Sequence, residues 1–506
     1  MADTKKDFEI TPFPVYAPTL GIIGNIPPTM LDPRAFTNCN NIRPKDGVAS
    51  KRTGYVAYAA GGAIAGVPLL LFSYQQFDLT EYEILVTTTK VYYNSGGTWT
   101  AIDNSLAANG DVDIRCSLAF IENKLVFTNG VNNALQWTGI GNMTALDDGK
   151  TIGWSDYKPK IFVPYKERLL GFNDNVSGSK TAIREIHSVL GDFDNVNDTG
   201  AGFNDFTRGM GNEIVGAAEL KDYVAVYKNM SCCLLDYIGG SSLYSLNAHV
   251  QGVGLLAPHC IANLGTSHII LGSDWNFHEW NGGWELNHIG DPIKKLLQSE
   301  LTAASKAKAK RNFCIVNLEQ REVTFFIVIG ANTYPTRTWT YNLDDRSWVK
   351  GTIASISAGG SVTKDGVERS LLGLATTVGE TTTGTTHHYD YSALNDGAAA
   401  IDCNFETGDF ILSKEGYQRR QRRYGGVDLD VKGYSTSAKL TLEYSSDEGV
   451  TWSTAEEKTL TAVYAWTNWY FLATARKLRL RFSDDTLSQS FSIRYYGLNQ
   501  KEGEIA

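Results

Sequence analysis

Short apolar runs alternate with polar positions along most of the chain, a pattern typical of β-strands. The runs are rich in β-branched and aromatic residues and are bounded by Gly, Asn, Asp or Ser. Examples are 83–93, 117–130, 222–240, 267–280, 313–330 and 369–380. The pattern therefore predicts an all-β protein.

One segment, 291–311, has the periodicity of a helix. Ile293, Leu296, Leu297 and Leu301 would share one face, with Asp291 as the N-cap and Pro292 at the first helical position.

A phrase of aromatic residue, Asn, turn and Trp occurs three times, as YNSGGTW (93–99), WNGGW (280–284) and YNLDDRSW (341–348). Related units lie about 40 to 60 residues apart, the spacing of β-propeller blades. We therefore predict a β-propeller of about seven blades over 54–398. A Trp after each turn would be buried between blades, and these blade-turn aromatics are Trp99, Trp137, Trp284 and Trp348. On this prediction Trp284→Ala costs about 3–5 kcal/mol.

Residues 1–53 differ from the rest because they hold seven of the thirteen prolines, at 12, 14, 18, 27, 28, 33 and 44. Proline disfavours helices and interior strands, yet the segment is also apolar. We predict an extended N-terminal arm that lies along the domain or along a neighbouring subunit; a disordered tail is the alternative.

Residues 399–506 alternate polar and apolar positions and predict a C-terminal β-sandwich. The small-residue stretch 381–400 reads as the linker before it.

Composition narrows the functional classes. The formal charge is −9, which argues against a protein that grips nucleic acid through phosphate neutralisation but allows DNA to pass an acidic wall. The seven Cys form no C-x-x-C pair and indicate buried thiols in a reducing compartment. The N-terminus has no apolar signal core, and the run 65–72 is too short to span a bilayer. We expect assembly in a cytoplasm without membrane insertion.

SSDEGVTW (445–452) matches the Asp-box pattern of sialidases and related propeller hydrolases. Its defined positions are Ser445, Asp447, Gly449, Thr451 and Trp452. Physically it predicts a hairpin in which Asp447 accepts turn amides and Gly449 takes positive φ. A single copy outside the repeats favours a structural hairpin over a sialidase.

Other candidate chemistry is sparse. His259, His268, His278 and His288 invite a metal hypothesis, but their spacing favours hydrogen-bonded strand histidines. RRQRR (419–423) and KAKAKR (306–311) favour solvated faces, with DNA contact as the alternative. Walker, G-x-S-x-G and H-E-x-x-H motifs are absent from the sequence. We predict no catalytic, cofactor-binding or metal residues.

Longer stretches add a family resemblance. RPKDGVASKRTGY (43–55), 213–240 and 251–297 resemble the propeller strands of bacteriophage tail β-propeller proteins. RRQRRYGGVDLDV and YSSDEGVTW are similar to segments found in such virion proteins. The resemblance covers roughly 38–300 and 403–495, and Trp275–Asn276 departs from the family turn after Asp274.

The resemblance implies a structural virion protein of a short-tailed phage, either a tail nozzle or a hub ring. It implies a homo-oligomer, expected as a hexameric ring, that contacts a tail adaptor or portal-proximal protein and a spike, fibre or tip protein. DNA would pass during ejection without specific binding. The expected location is the virion, after assembly in the bacterial host cytoplasm.

Two other functions stay open. A host-glycan-binding module would show exposed aromatic residues beside carboxylates. A glycoside hydrolase would need two carboxyl groups roughly 5–9.5 Å apart across a pocket.

Overall fold

The computed structural model describes residues 11–59, 61, 63–103, 111–147, 149–176, 179–240, 243–378, 381–411 and 422–501. The chain is all-β, with 53% strand and 5% helix in many small antiparallel sheets, which confirms the predicted class. It divides into a large unit, Ala57–Thr338 with Ile353–Tyr389, and a small unit, Met1–Val56 with Trp339–Thr352 and Asp390–Ala506.

The first half of the chain contains β1 (Thr11–Tyr16), β2 (Phe36–Asn40), β3 (Ile42–Lys45), β4 (Val48–Lys51), β5 (Tyr55–Ala57), β6 (Ile64–Ala65), β7 (Pro68–Gln75), β8 (Glu81–Thr87), β9 (Val91–Ser95), β10 (Thr98–Ala101), β11 (Ser117–Ile121), β12 (Lys124–Thr128), β13 (Leu135–Trp137), β14 (Thr144–Ala145), β15 (Ile161–Tyr165), β16 (Arg168–Val176), β17 (Ser179–His187), β18 (Gly202–Asp205), β19 (Ile214–Leu220), β20 (Tyr223–Lys228), β21 (Ser231–Tyr237) and β22 (Tyr244–Gln251). The second half contains β23 (Ile261–Asn263), β24 (His268–Leu271), β25 (Phe277–Trp280), β26 (Phe313–Asn317), β27 (Glu322–Ile327), β28 (Arg337–Asn342), β29 (Trp348–Thr352), β30 (Ile356–Lys364), β31 (Val367–Val378), β32 (Thr381–Tyr389), β33 (Asn395–Asp396), β34 (Ala399–Ala400), β35 (Cys403–Thr407), β36 (Arg422–Gly433), β37 (Lys439–Ser445), β38 (Ser453–Thr459), β39 (Ala465–Trp469), β40 (Ala473–Ala475), β41 (Arg479–Asp484) and β42 (Phe491–Lys501). The helices are α1 (Trp154–Tyr157), α2 (Lys294–Glu300) and α3 (Ala303–Ala307), with 3₁₀ turns at Pro28–Met30 and Ala309–Arg311.

The large unit is a series of antiparallel meanders in which strands adjacent in sequence are neighbours. Within the described residues, β7–β10, β11–β14, β15–β18 and β19–β22 form the first four sheets, and β23–β25 form the fifth. β26 and β27 begin the sixth, and the boundary between the units falls within β28. β30–β32 form the seventh, with β6 beside β32. Short strands joined by tight turns favour this local pairing over long crossovers.

The first strands of successive sheets pack against one another. β11 lies against β15, β15 against β19, β19 against β23, β23 against β26, and β26 against β30. β30 then lies against β7, and Leu69 of β7 shares a core cluster with Cys116, which precedes β11. The order of contacts in the large unit therefore returns to its start.

Apolar layers between neighbouring sheets form the core of the large unit. Trp137 of the second sheet contacts Tyr82 and Tyr93 of the first, with ring centroids 5.0 and 5.3 Å apart. Trp99 of the first sheet clusters with Val362 and Leu371 of the seventh. The first sheet thus buries its two faces against two different neighbours, the second and the seventh sheets.

Hydrogen bonds also join sheets of the large unit that are not neighbours in the series. The buried Arg115, ahead of β11, donates from Nε to the Lys310 carbonyl at 2.9 Å and from Nη2 to the Arg311 carbonyl at 2.8 Å, both ahead of β26. Nε2 of His259, ahead of β23, donates to the Cys116 carbonyl at 2.8 Å. The second sheet is therefore tied to the fifth and sixth sheets, which are not its neighbours in the series.

Two sheets with a common core make up most of the small unit. One has the order β3-β4-β42-β36-β39, with β1 beside β42 and β40 beside β36; the other has the order β2-β35-β41-β37-β38. Phe482 of the second sheet meets Tyr496 of the first at 5.6 Å. Segment 1–53, predicted as an arm of its own, supplies β1–β4 to these sheets. Among the strands described, β1 pairs with β42 alone, and this edge position tolerates Pro12 and Pro14.

The single helix predicted over 291–311 is wrong. α2 begins at Lys294 with Ile293 as its N-cap and ends at Glu300; its C-cap, Leu301, has an extended backbone with φ of −84° and ψ of 133°. α3 restarts after Thr302, which forms a capping box with Ser305. The Asp291 carboxylate accepts a hydrogen bond from the Asn276 amide instead of capping the helix. Two caps inside the segment thus override its apolar periodicity.

Candidate functional site

Three of the four predicted blade-turn aromatics are buried. Trp99 and Trp137 are wedged between sheets of the large unit, as described above, and Trp348 packs on Tyr341 at 4.8 Å within the small unit. Trp284 contradicts the prediction because 71% of it is exposed. The predicted cost of 3–5 kcal/mol for Trp284→Ala therefore does not hold.

Trp280, the aromatic residue that opens the same phrase, takes the buried place. It is fully buried at the end of β25, contacts Tyr227 of the fourth sheet edge-on at 5.6 Å, and donates from Nε1 to the Gly283 carbonyl. Trp99 and Trp348 each begin or lie in a strand after the turn, whereas no strand follows Trp284 in the described part of the fifth sheet. Without a following strand, Trp284 is not placed in the apolar layer between the sheets.

The Asp box forms the predicted hairpin turn between β37 and β38. The Asp447 carboxylate accepts hydrogen bonds from Ser445 Oγ at 2.7 Å, from the Thr451 amide at 2.9 Å and from Thr451 Oγ1 at 2.5 Å. Gly449 has φ of +89°. The Arg481 guanidinium lies over the Trp452 ring at 4.2 Å. The hydrogen bonds from Thr451, and then from Ser445, lower the pKa of Asp447 to about 2. These bonds assign the box to turn closure.

The four clustered histidines have protein hydrogen-bond partners. His268 donates from Nε2 to the Glu219 carbonyl and accepts from the Tyr227 hydroxyl, both at 2.8 Å. His278 donates from Nε2 to Asp274 at 2.9 Å and accepts at Nδ1 from His288. Burial raises the pKa of Asp274, but hydrogen bonds from His278 and Lys294 outweigh it and bring the value to about 2. Among the described residues, no group of three His, Cys, Asp or Glu could hold a metal ion.

The structure describes all of the basic tract 306–311 but only part of the basic tract 419–423. Residues 306–311 run through α3 and the following 3₁₀ turn, where Arg311 pairs with Asp113 at 2.7 Å. Of 419–423, residues 419–421 lie outside the described residues, and Arg423 is exposed in β36. A solvated face stays the prediction for each tract, with DNA contact as the alternative.

A cleft of about 480 Å³ lies beside the fourth sheet. The loop that follows β25 forms one wall, and strands β19–β22 form the other. Its lining residues are Leu220, Lys221, Tyr223, Leu234, Asp236, Asn247, His249, Asn281, Gly282 and Gly283. Trp284 is not among these residues, but it contacts the lining residue His249, on whose ring it stacks at 4.2 Å with 9° between the planes. We call this feature the Trp284 cleft.

The Gly-Gly turn explains how the loop reaches the sheet. Gly282 has φ of +89°, and a Cβ atom there would come within 3.4 Å of the Leu234 side chain. Its carbonyl accepts a hydrogen bond from His249 Nδ1 at 2.8 Å, and Lys221 Nζ donates to the neighbouring Asn281 carbonyl at 2.9 Å. The loop is therefore pinned to β22 at one point and to the β19–β20 turn at another.

Sequence reasoning missed this cleft. Asp236, Asn247 and His249 belong to no motif and converge only because β21 and β22 pair. The available signal was the shortened phrase WNGGW, in which the second Trp follows Asn after only two glycines. Only two residues separate Asn from Trp in WNGGW, against four in YNSGGTW and five in YNLDDRSW, and this shortening could have marked Trp284 as the exception.

None of the helices in the described ranges is long or apolar enough to span a membrane.

No family model matches the chain, and no curated protein matches it in sequence. Among solved structures it is similar to PorZ, a surface component of the type-IX secretion system of Porphyromonas gingivalis, at 12% identity and a TM-score of 0.34; the match covers 75% of this chain but 44% of PorZ. The computationally designed protein Ika8 matches at 10% identity, with 74% and 99% coverage and a TM-score of 0.35. An exo-β-1,3-galactanase from Phanerochaete chrysosporium matches at 6% identity, with 76% and 95% coverage and a TM-score of 0.26. At TM-scores this low, none of these similarities identifies the fold or the function of the chain.

Proposed function

We propose that the chain is a non-catalytic structural protein of a bacteriophage tail, built as a seven-bladed β-propeller with a β-sandwich. The observation that carries the fold is the contact between β30 and β7, which brings the seventh sheet back to the first. Successive four-stranded meanders in cyclic order are the construction principle of propellers. The resemblance of 38–300 and 403–495 to phage tail propellers supplies the functional part of the proposal.

The cross-cycle contacts refine the role in DNA passage. Arg115 and His259 fill the middle of the proposed propeller with hydrogen bonds of 2.8–2.9 Å between sheets that are not neighbours. A DNA duplex cannot occupy a space crossed by such contacts. A conduit must therefore lie between subunits of a ring, and the proposal includes a homo-oligomer, expected as a hexamer, whose walls enclose the channel.

The partners in this proposal are those that the family resemblance implies. The ring would dock on a tail adaptor or portal-proximal protein above and on a spike, fibre or tip protein below, in the virion. With a net charge of −9, the ring would let DNA slide without adhering to it.

Electron cryo-microscopy tests the proposal on the purified chain and on particles from its source. We expect a closed ring of copies around an open channel, with the axis of each propeller filled. A chain that is monomeric in solution and absent from every particle overturns the tail role. A ring whose channel runs through single propellers overturns the placement of the conduit.

A further inference from the structure

We propose that copies of this chain join head to tail, with the short helix α3 of one copy seated in an acidic groove on the large unit of the next. The inference rests on the homo-oligomer of the proposed function and names the two surfaces that would form its interface. Three observations support it: a groove with unpaired carboxylates, an exposed basic helix of matching size, and the positions of the two surfaces at opposite ends of the sheets.

The groove lies where hairpin turns of the first three sheets meet the end of β19, and its volume is about 510 Å³. Its lining is partly apolar and includes Phe120, whose ring contacts that of Phe77 edge-on at 6.3 Å. Phe77 is 76% exposed, so a large apolar ring is left in water at this surface of a single copy. We call this feature the turn groove.

The exposed charges of the turn groove are mainly negative. Glu122, Glu167 and Glu219 are exposed in its lining, and within the described residues their side chains have no hydrogen-bond or ion-pair partner. The lining also contains the exposed Lys166 and the buried Arg168, whose guanidinium donates to two backbone carbonyls. Three carboxylates against these two cations leave the lining negative. The turn groove therefore favours a partner surface that is both apolar and positively charged.

α3 offers a surface of matching size. Of its five residues Ser305 alone is buried, while three alanines and Lys306 are exposed. The small alanine side chains allow the backbone of the helix to approach a partner closely. A single helical turn, roughly 5.4 Å long and 10 Å across, fills about 400 Å³, which is slightly less than the volume of the turn groove. One turn of α3 therefore fits the groove.

The charge of α3 and its flanking residues complements the turn groove. Segment 294–311 contains six cations and one carboxylate, in a chain whose net charge is −9. Lys306 and Lys310 are exposed, and in the described parts of the chain neither ammonium group has a hydrogen-bond or ion-pair partner. Seating α3 would bring these cations close to the unpaired carboxylates of the next copy. Partial exclusion of water from such a contact strengthens the attraction.

The two surfaces lie at opposite ends of the sheets, so α3 and the turn groove of one copy do not meet each other. Glu122 follows the last residue of β11, whereas Asp113, which pairs with Arg311 just beyond α3, precedes the first. A strand of five residues places its two ends roughly 16 Å apart. Contact between two different surfaces gives a heterologous interface, which generates a ring when the rotation between copies closes.

Sedimentation velocity on the full chain tests the interface with two charge reversals. Lys306→Glu and Glu167→Lys should each weaken self-association at least about tenfold, because each places like charges across the contact. An equimolar mixture of the two variants should associate like the parent chain, because every helix then faces a groove of opposite charge. Arg476→Glu, at an exposed position of the small unit, is the matched control and should leave association unchanged.

The inference is overturned by a parent chain that does not self-associate, by single variants that associate like the parent, or by a mixture as weak as its components. Binding of random-sequence duplex DNA that Lys306→Glu abolishes without affecting self-association also overturns it, because the basic segment would then contact phosphates. A ring that persists in both single variants rejects this interface and leaves the tail role standing. A chain that is monomeric and absent from every particle rejects both proposals.

Discussion

At the residue scale, the recurring phrase is explained by its Asn more than by its Trp. Asn94 accepts from the Gly97 amide at 2.9 Å, Asn281 from the Gly283 amide at 3.0 Å, and Asn342 from the Asp344 amide at 2.8 Å. In each copy a short polar side chain closes the turn, and this role can be predicted from sequence because it is local. The place of each Trp depends on whether a strand follows, which the phrase does not encode.

The two Trp residues of WNGGW should respond oppositely to truncation. Trp280→Ala removes a fully buried ring between two sheets and should lower the free energy of unfolding by about 3–5 kcal/mol. Trp284→Ala removes an exposed ring and should change it by less than about 0.5 kcal/mol. Urea denaturation of the two variants in parallel measures both. Equal losses would show that the burial assignment of this loop is wrong.

His268 gives the large unit a dependence on pH. Burial lowers its pKa from 6.5 to about 4, and its two ring nitrogens are already bonded in the neutral form. The unfolded chain therefore binds more protons than the folded chain between these two values. Stability from this group is complete above pH 6.5, declines as the pH falls, and levels off below about 4, a change of about 3 kcal/mol.

His268→Gln should reveal that contribution. At pH 7 the variant loses the neutral imidazole and its hydrogen bonds and should be less stable than the parent chain. Near pH 4.5 the difference in stability between the two chains should narrow, because the parent chain has by then lost most of the stabilisation that neutral His268 provides. Urea midpoints at the two pH values measure it, and a difference that stays constant or widens on acidification would contradict the assignment.

At the element scale, the helical segment 291–311 shows where sequence periodicity fails. The apolar spacing was real, since Ile293 and Leu297 are buried on one side. Thr302 and Ser305 form a local cap in the middle of the segment, and a cap satisfies backbone donors only where a helix starts. The signal was present in the sequence, but a longer-range apolar pattern concealed it.

Thr302→Ala tests that cap. The change removes the hydroxyl that accepts from the Ser305 amide and donates to the Gly330 carbonyl at 2.9 Å. We expect a loss of about 1 kcal/mol in unfolding free energy. Thr333→Ala, at another exposed position, is the control and should stay within about 0.5 kcal/mol. A Thr302→Ala chain as stable as the control would mean that the cap does not hold α3.

At the scale of the whole molecule, class and repetition were predictable, but connectivity was not. Alternating patterns and turn residues gave the all-β class because each signal lies within about ten residues. The small unit takes β1–β4 from one end and β35–β42 from the other, with Trp339–Thr352 between them. Pairings such as Val15 with Tyr496 leave no local pattern in the sequence. The Trp284 cleft escaped prediction for the same reason.

Arg115→Met should destabilise the large unit. The guanidinium is buried, and burial lowers its pKa to about 10, yet it serves the Lys310 and Arg311 carbonyls. Methionine keeps much of the volume but leaves these acceptors without their donor, at a cost of about 3 kcal/mol or more. Arg208→Met on the exposed surface is the control. Equal thermal midpoints for the two variants would argue against a tie across the sheets.

A fragment of residues 390–506 should not fold alone. Without 1–56 it lacks the strands that cover β42 and β35, and unpaired edges favour aggregation. It also leaves Asp484 without Lys51, a fully buried ion pair at 2.9 Å. Co-expression with 1–56 should raise the soluble yield. A monomeric fragment that unfolds cooperatively by itself would contradict this dependence.

Because the small unit is built from both ends of the chain, its strands are synthesised at widely separated times. β4 ends at Lys51 and β42 begins at Phe491, so the first strands leave the ribosome long before their partners exist. At roughly 5–20 residues per second, tens of seconds pass between the synthesis of β4 and that of β42. During this interval the edges that pair with the C-terminal strands stay unpaired. We therefore expect newly made chains to need chaperones during this interval, and we expect translation pauses late in the message to lengthen the period of exposure.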